Sequence, residues 1–335
     1  MDVVLRLACF RYLSRAAIRA FLFEGSALKP HSMEVQTGRI LGRLKAAGLV
    51  ASTQRLVGGP GGGSGRLAYF LTREGQKLAD AFTGGPPRRP PLNGSFLMRH
   101  GQMSAEVALA FRRAARTHPG HELSEWECDW AAALKLGSGL VVPDARIVYH
   151  ARHWEFSAFI EVDLATEGTR FFARKIGRYL DLCVGGSWRK DLSRWPLVLT
   201  VAPTMARADA LKAATEPLLR RPYYGARLAR TPPEFLFTSL GALCGPCSPL
   251  GPIWRIPGRD GLHPLVTGLD VRGFEIDGPG DGVPTPPSVA LPATLEIAPP
   301  AESRRHVLRL DSPAALPAVK EGYGHSNLSN RAHGA

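Results

Sequence analysis

The sequence predicts an α+β chain of two folded units, a small basic helical one and a larger one with an α-β-β-β-α-β core. Three observations predict it. Apolar residues recur at helical spacing through most of the first 50 residues, and strand-like runs dominate between 122 and 164. Thr83 to Ser95 (TGGPPRRPPLNGS) separates these patterns and suits neither a helix nor a central strand. Past about Gly273 the chain is rich in Pro, Ala, Ser and Gly and too poor in core formers to fold alone. The expected boundaries are therefore 1–83, a linker at 84–95, a second domain at 96–272 and a disordered tail at 273–335.

In the first unit, Leu5 to Phe10 and Arg15 to Phe23 read as helices, with Ser14 as N-cap of the second. A third helix is expected over Met33 to Ala47, following Ser32, with Gly48 as its C-cap. Its buried face carries Val35, Ile40, Leu41 and Leu44, and its polar face Arg39 and Arg43. Leu49 to Val57 reads as a strand, Gly58 to Gly65 as a glycine-rich tip, and Arg66 to Leu71 as a returning strand. Thr72 caps a closing helix, Arg73 to Phe82. Three helices, a hairpin and a closing helix make a winged helix-turn-helix. Its third helix suits a DNA groove and its wing suits phosphate. Arg39, Arg43, Arg55 and Arg66 are the expected DNA contacts.

Charge points the same way. The chain carries a formal +13, and residues 1–95 hold 14 Lys and Arg against 5 Asp and Glu, a local +9. Such an excess calls for a polyanionic partner, with double-stranded DNA ahead of any membrane. No run of about 18 apolar residues suggests a transmembrane helix. Arg6, Arg11, Arg15 and Arg19 interrupt the N-terminal apolar residues, against a signal peptide. The five cysteines are odd in number and irregular in spacing, which reads as no disulfide framework and a cytoplasmic setting. Cys244-Gly-Pro-Cys247 lacks the second ligand pair that zinc needs and reads as a tight turn.

In the second unit, Ser104 is the expected cap of a helix running to about Arg116. Strands follow at Glu122 to Trp130, Val141 to Tyr149 and around Phe156 to Leu164, then a helix over Phe171 to Leu182 begun by Thr166 and Glu167. Trp195 to Val201 is a strand, Arg207 to Arg220 a helix, and Glu234 to Ser239 and Gly251 to Ile256 are strands. Two of the strands carry acid where a core would not want it. Asp144 follows Pro143, and Glu161 and Asp163 stand two residues apart, hence on one face. Carboxylates in an apolar strand are costly unless paired or bound to metal. Hard oxygen ligands from Asp144, Glu161 and Asp163 would suit Mg2+ or Mn2+, which activates water for phosphodiester hydrolysis. Lys175 sits one turn before Tyr179 on the following helix and could reach the same place.

This order of elements, with Pro143-Asp144 and Glu161, resembles the PD-(D/E)XK nuclease superfamily. That superfamily expects lysine where this chain has Asp163, which leaves Lys175 as the substitute. A catalytic set of Asp144, Glu161, Asp163 and Lys175 is one implication; an inactivated core with its acids paired to Arg146, Arg174 or Lys175 is the other. Together the halves resemble the replication-relaxation family. The features are Tyr69, Leu71-Thr72 and Gly75, then Pro143 to Ala145, Phe159 to Asp163, Lys175 with Tyr179, and Pro196 to Val201. That resemblance covers roughly residues 1–256. It implies a bacterial mobile-element protein that binds plasmid DNA in replication and relaxation, alongside replication or conjugation proteins. The alternatives are a Mg-dependent endonuclease that nicks plasmid DNA and a transcriptional regulator with a non-catalytic second domain.

Overall fold

A computed structural model describes residues 1–53, 67–83, 94–128, 132, 134–136, 139–151, 154–190, 192, 194–228 and 233–265. The expected glycine-rich tip and tail and residues 84–93 of the expected linker, and with them Arg55 and Arg66, lie outside the described residues; Ser95, the last expected linker residue, opens a helix.

The N-terminal unit runs α1 (Asp2–Phe10), β1 (Leu13–Ser14), α2 (Arg15–Phe23), α3 (Pro30–Ala46), β2 (Val50–Ser52), β3 (Ala68–Leu71) and α4 (Arg73–Thr83). Its short sheet has the order β1-β3-β2. Local chemistry sets most of these bounds. The Ser14 hydroxyl accepts from the Ala17 N–H at 3.1 Å and starts α2. Helix α3 begins earlier than Ser32 suggested, because Pro30 occupies its first turn, where a missing N–H is harmless. Gly48 closes α3 at φ +69°, a conformation open to glycine. Arg15 and Arg19 both pair with Glu34 and clamp α2 to α3. The motif around Thr72 has a direct physical meaning. Its hydroxyl donates to the Gly48 carbonyl at 2.5 Å and accepts from the Gly75 N–H at 3.1 Å. A Cβ at Gly75 would lie 2.0 Å from the Leu49 carbonyl oxygen, so only glycine lets α4 close on the strand start.

The larger unit continues with α5 (Ser95–Thr117), β4 (His121–Cys128), β5 (Leu134–Leu136), β6 (Gly139–Val141), β7 (Ala145–Ala151), β8 (Trp154–Val162) and α6 (Thr169–Gly185). It ends with β9 (Leu197–Ala202), α7 (Met205–Leu219), α8 (Pro222–Leu228), β10 (Phe235–Ser239), α9 (Leu240–Leu243), β11 (Pro252–Trp254) and β12 (His263–Pro264). The main sheet has the order β10-β9-β8-β7-β4. Strands β4, β7 and β8 pair antiparallel, while β8, β9 and β10 pair parallel, with α6 and α7 as the crossovers that parallel pairing requires. Strand alternation sends Ala158, Ile160, Leu199 and Val201 into a core shared with α5. It sends Phe159, Val198, Phe235 and Phe237 into a second core shared with α6 and α7.

Two boundaries differ from expectation. Helix α5 starts at Ser95, and Ser104 lies inside it, its hydroxyl donating to the His100 carbonyl at 2.9 Å. Gly101 weakens the helical signal there, but it is needed for packing: a Cβ would lie 2.1 Å from the Phe10 carbonyl oxygen. Val141 belongs to the short β5–β6 hairpin, and β7 starts only at Ala145, which leaves Pro143 and Asp144 in a bend.

The two units share one apolar core, which runs from Val3 and Phe21 through Phe111 to Leu199. Phe10 stacks on Phe21 at 5.3 Å and meets Trp126 of β4 at 5.7 Å. Arg112 of α5 donates to the Phe21 carbonyl at 2.7 Å, and Arg116 to that of Glu24. The reading of the cysteines as no disulfide framework is corrected at one pair: Cys9 and Cys128 form a disulfide across the units, Cα atoms 5.7 Å apart. Partners 119 residues apart leave no spacing signal. Among the described residues no helix is long and apolar enough to cross a membrane.

Gly101→Ala should lower stability by about 1–3 kcal/mol, since its methyl overpacks against backbone. Gly42→Ala in α3 faces open space and should raise stability by up to about 1 kcal/mol; urea denaturation of both variants checks the pair. In denaturant without reductant, thiol titration should find three reactive cysteines, rising to five after reduction.

Candidate functional site

Four sequence-predicted residues, Asp144, Glu161, Asp163 and Lys175, line one cavity of about 560 Å³. Cys9, Phe10 and Arg11 of the N-terminal unit line it as well, so the cavity sits where the units meet. Each acid arrives by a local device. The Pro143 bend presents Asp144, whose N–H donates to the Ile160 carbonyl at 3.0 Å. Glu161 lies near the end of β8 on the α6 side of the sheet, 3% exposed. Asp163 is the first residue past β8, its N–H donating to the Val201 carbonyl at 3.0 Å.

Every carboxylate oxygen in this set has a partner. Asp144 Oδ2 accepts from the Val162 N–H at 2.7 Å, and Oδ1 lies 3.2 Å from His100 Nε2. Glu161 Oε1 accepts from the Tyr179 hydroxyl at 2.5 Å, and Oε2 pairs with the Lys175 ammonium. Arg207 grips Asp163 with two bonds, at 2.8 and 2.9 Å, and the Ala165 N–H adds a third at 3.0 Å. Glu161 and Asp163 leave the sheet on the same side, as alternation requires, but one turns to α6 and the other to α7. No group of three His, Cys, Asp or Glu side chains converges on a point among the described residues. As arranged, this donor set does not fit Mg2+ or Mn2+: each carboxylate is already paired within the protein, and no three donors converge among the described residues.

Burial dominates the electrostatics. It pushes Glu161 up to about 7 against the pull of Lys175, with the Asp144 charge adding to the push. Desolvation drags Lys175 down, yet Glu161 and Asp144 outweigh it and hold the ammonium above its usual range. Desolvation would also raise Asp144, but the His100 hydrogen bond and the Lys175 charge prevail and keep it below the usual carboxylate range. Burial, then the neighbouring Glu161, lifts the Tyr179 phenol well above its ordinary value.

Sequence reading found the acids and Lys175, set Tyr179 beside Lys175, and missed His100 and Arg207. His100 would have been found had α5 been started at Ser95. Tyr179, expected on the same face as Lys175, donates to Glu161. Arg207 stands 44 residues from Asp163 and carries no local signal. Thr166 and Glu167 do not cap α6, whose N-cap is Gly168 without a side-chain bond. The Glu167 carbonyl instead accepts from Arg207 at 2.7 Å. Arg146 pairs with Glu125 and Glu127. Arg39 and Arg43 lie elsewhere, on the exposed side of α3. Cys244 and Cys247 are free and exposed.

Lys175→Ala strands a buried carboxylate and should cost about 3–5 kcal/mol, with much of the loss recovered by adding Glu161→Gln; denaturant titration of the single and double variants checks this. Because Glu161 is raised from 4.5 to about 7, the folded state holds the extra proton. Its contribution is full below about pH 4.5 and is lost as pH rises through about 7. Thermal melts should therefore show a Glu161-dependent fall in stability between about pH 5 and 7, absent from Glu161→Gln.

Comparison with known proteins bears on the same stretch. The replication-relaxation profile matches residues 5–198, from α1 through the start of β9. No curated protein and no solved structure gives a significant match. The match covers more than half of the chain and reaches from the first unit into the second past Asp144, Glu161, Asp163 and Lys175, so this protein belongs to the replication-relaxation family.

Proposed function

We propose that this protein binds double-stranded DNA through its N-terminal unit and acts in plasmid replication and DNA relaxation. The observation that carries the reading is the Arg39 and Arg43 pair. The two stand one turn apart on the exposed side of α3, and neither has an ion-pair partner among the described residues. We read α1 to α4 with the β2–β3 hairpin as a winged helix-turn-helix whose α3 enters the major groove. The local excess of basic residues supports that docking. The carboxylate cleft, in this reading, binds without cutting, because its acids are already compensated by Lys175, Arg207 and His100.

In fluorescence anisotropy with a plasmid-derived duplex, Arg39→Ala/Arg43→Ala should weaken binding at least about tenfold and reduce the salt slope by about 2. Unchanged affinity would refute the assignment of α3. Supercoiled plasmid incubated with the protein alone and Mg2+ or Mn2+ should stay supercoiled, because its part in relaxation is to bind DNA alongside replication or conjugation proteins. Nicking that disappears in Asp144→Ala would replace the binding reading of the cleft with the nuclease one.

A further inference from the structure

We infer that the cleft between the units is a seat for an unpaired DNA strand, distinct from the duplex surface on α3. The inference rests on the reading that this protein works on DNA, and it names the substrate form that the larger unit takes. Arg170, Arg174 and Arg178 stand four residues apart on the exposed side of α6. Each step is about 6 Å along the helix, which suits successive phosphates of an extended strand. No carboxylate pairs with any of the three among the described residues. Of the four acids lining the cavity, three are compensated, Glu161 by Lys175, Asp163 by Arg207 and Asp144 by a hydrogen bond from His100; the fourth, Glu167, is exposed. Three arginines against the one exposed Glu167 leave the row the dominant charge beside the cavity, and a polyanion meets attraction there.

Two aromatic rings complete the arrangement. Phe171 of α6 is 51% exposed, and Phe96 of α5 is 48% exposed. Both line the cavity, with Arg174 and Arg178. The Arg174 guanidinium lies 4.6 Å over the Phe171 ring, and Phe96 stacks with His100 at 6.2 Å. Half-exposed phenyl rings, each with one face backed by Arg174 or His100, beside a cationic row are what base stacking with phosphate contact needs. A duplex keeps its bases stacked on one another and offers such rings nothing; an unpaired strand offers every base. The cavity volume of about 560 Å³ falls within the range of small-ligand sites, about 300–1,000 Å³. It could take an extruded base while the strand follows α6 past Arg170.

The test uses the full chain and a fluorescent oligothymidylate of about twenty nucleotides, with affinity read by anisotropy over a salt series. Phe171→Ala and Arg174→Ala should each weaken binding about tenfold, and Arg174→Ala/Arg178→Ala should lower the salt slope by about 1.4. All these side chains are exposed, so unchanged melting curves should accompany the loss. Duplex affinity should stay within about twofold in the cleft variants, and oligothymidylate affinity likewise in Arg39→Ala/Arg43→Ala. Unchanged oligothymidylate binding in Phe171→Ala and Arg174→Ala would overturn the proposal. So would thymidine monophosphate competing as well as the oligomer, which would make the cavity a mononucleotide site. Loss of duplex binding in the cleft variants alone would refute the α3 assignment and merge the two surfaces. Intact single-strand binding with no duplex binding at all would leave the cleft standing and remove α3.

Discussion

Helix α5 has to bury two faces at once, and much of the rest of the structure follows from that. An amphipathic helix with one apolar stripe can cover a sheet or a neighbouring helix, seldom both. Here twelve of the 23 residues of α5 are buried. One side packs into the core with Ile147 and Ile160 of the sheet, and the other meets α1 and α2. Gly101 gives up helical propensity so that the Phe10 carbonyl can approach. Arg112 caps a backbone carbonyl of α2 from inside the interface. A docking made this way places Cys9 to Arg11 opposite the acidic end of β8, and the cavity between them is its by-product.

The second constraint is charge. A carboxylate taken out of water loses solvation worth several kcal/mol, which only a cation or strong donors can offset. Glu161 meets this with Lys175 and Tyr179, which α6 presents one turn apart. Asp163 meets it with the bidentate Arg207 of α7. Asp144 relies on a backbone N–H and His100. The three solutions come from three different helices, so the sheet end binds its packing layers together electrostatically as well as by apolar contact. A further consequence reaches the surface: with the acids compensated, the exposed arginines of α6 set the local field.

Local elements were legible in the sequence to the extent that their causes were local. Ser14, Thr72 and Gly48 mark helix ends through bonds or backbone angles that involve close neighbours or adjoining elements. The six residues of β9 are buried on both faces, and their apolar run shows it. Lys175 and Tyr179 share a helical face by arithmetic alone. The start of α5 was lost because Gly101, read locally, argues against a helix. Its justification is a carbonyl some 90 positions away in the chain.

The sequence by itself determined the α+β class, the order of the main elements along the chain, the acids at the end of β8 and the basic character of the first unit. These depend on periodicity, caps and composition, which neighbouring residues encode. Tertiary structure alone decided that Cys9 meets Cys128, that the two units share one core, and that Asp163 belongs to Arg207 and Asp144 to His100. Such pairings are selected by which surfaces can be packed together, and no spacing along the chain records them. The status of the acidic cluster turned on that difference. Read along the chain it is a set of metal ligands; folded, its six oxygens have already found their partners within the protein.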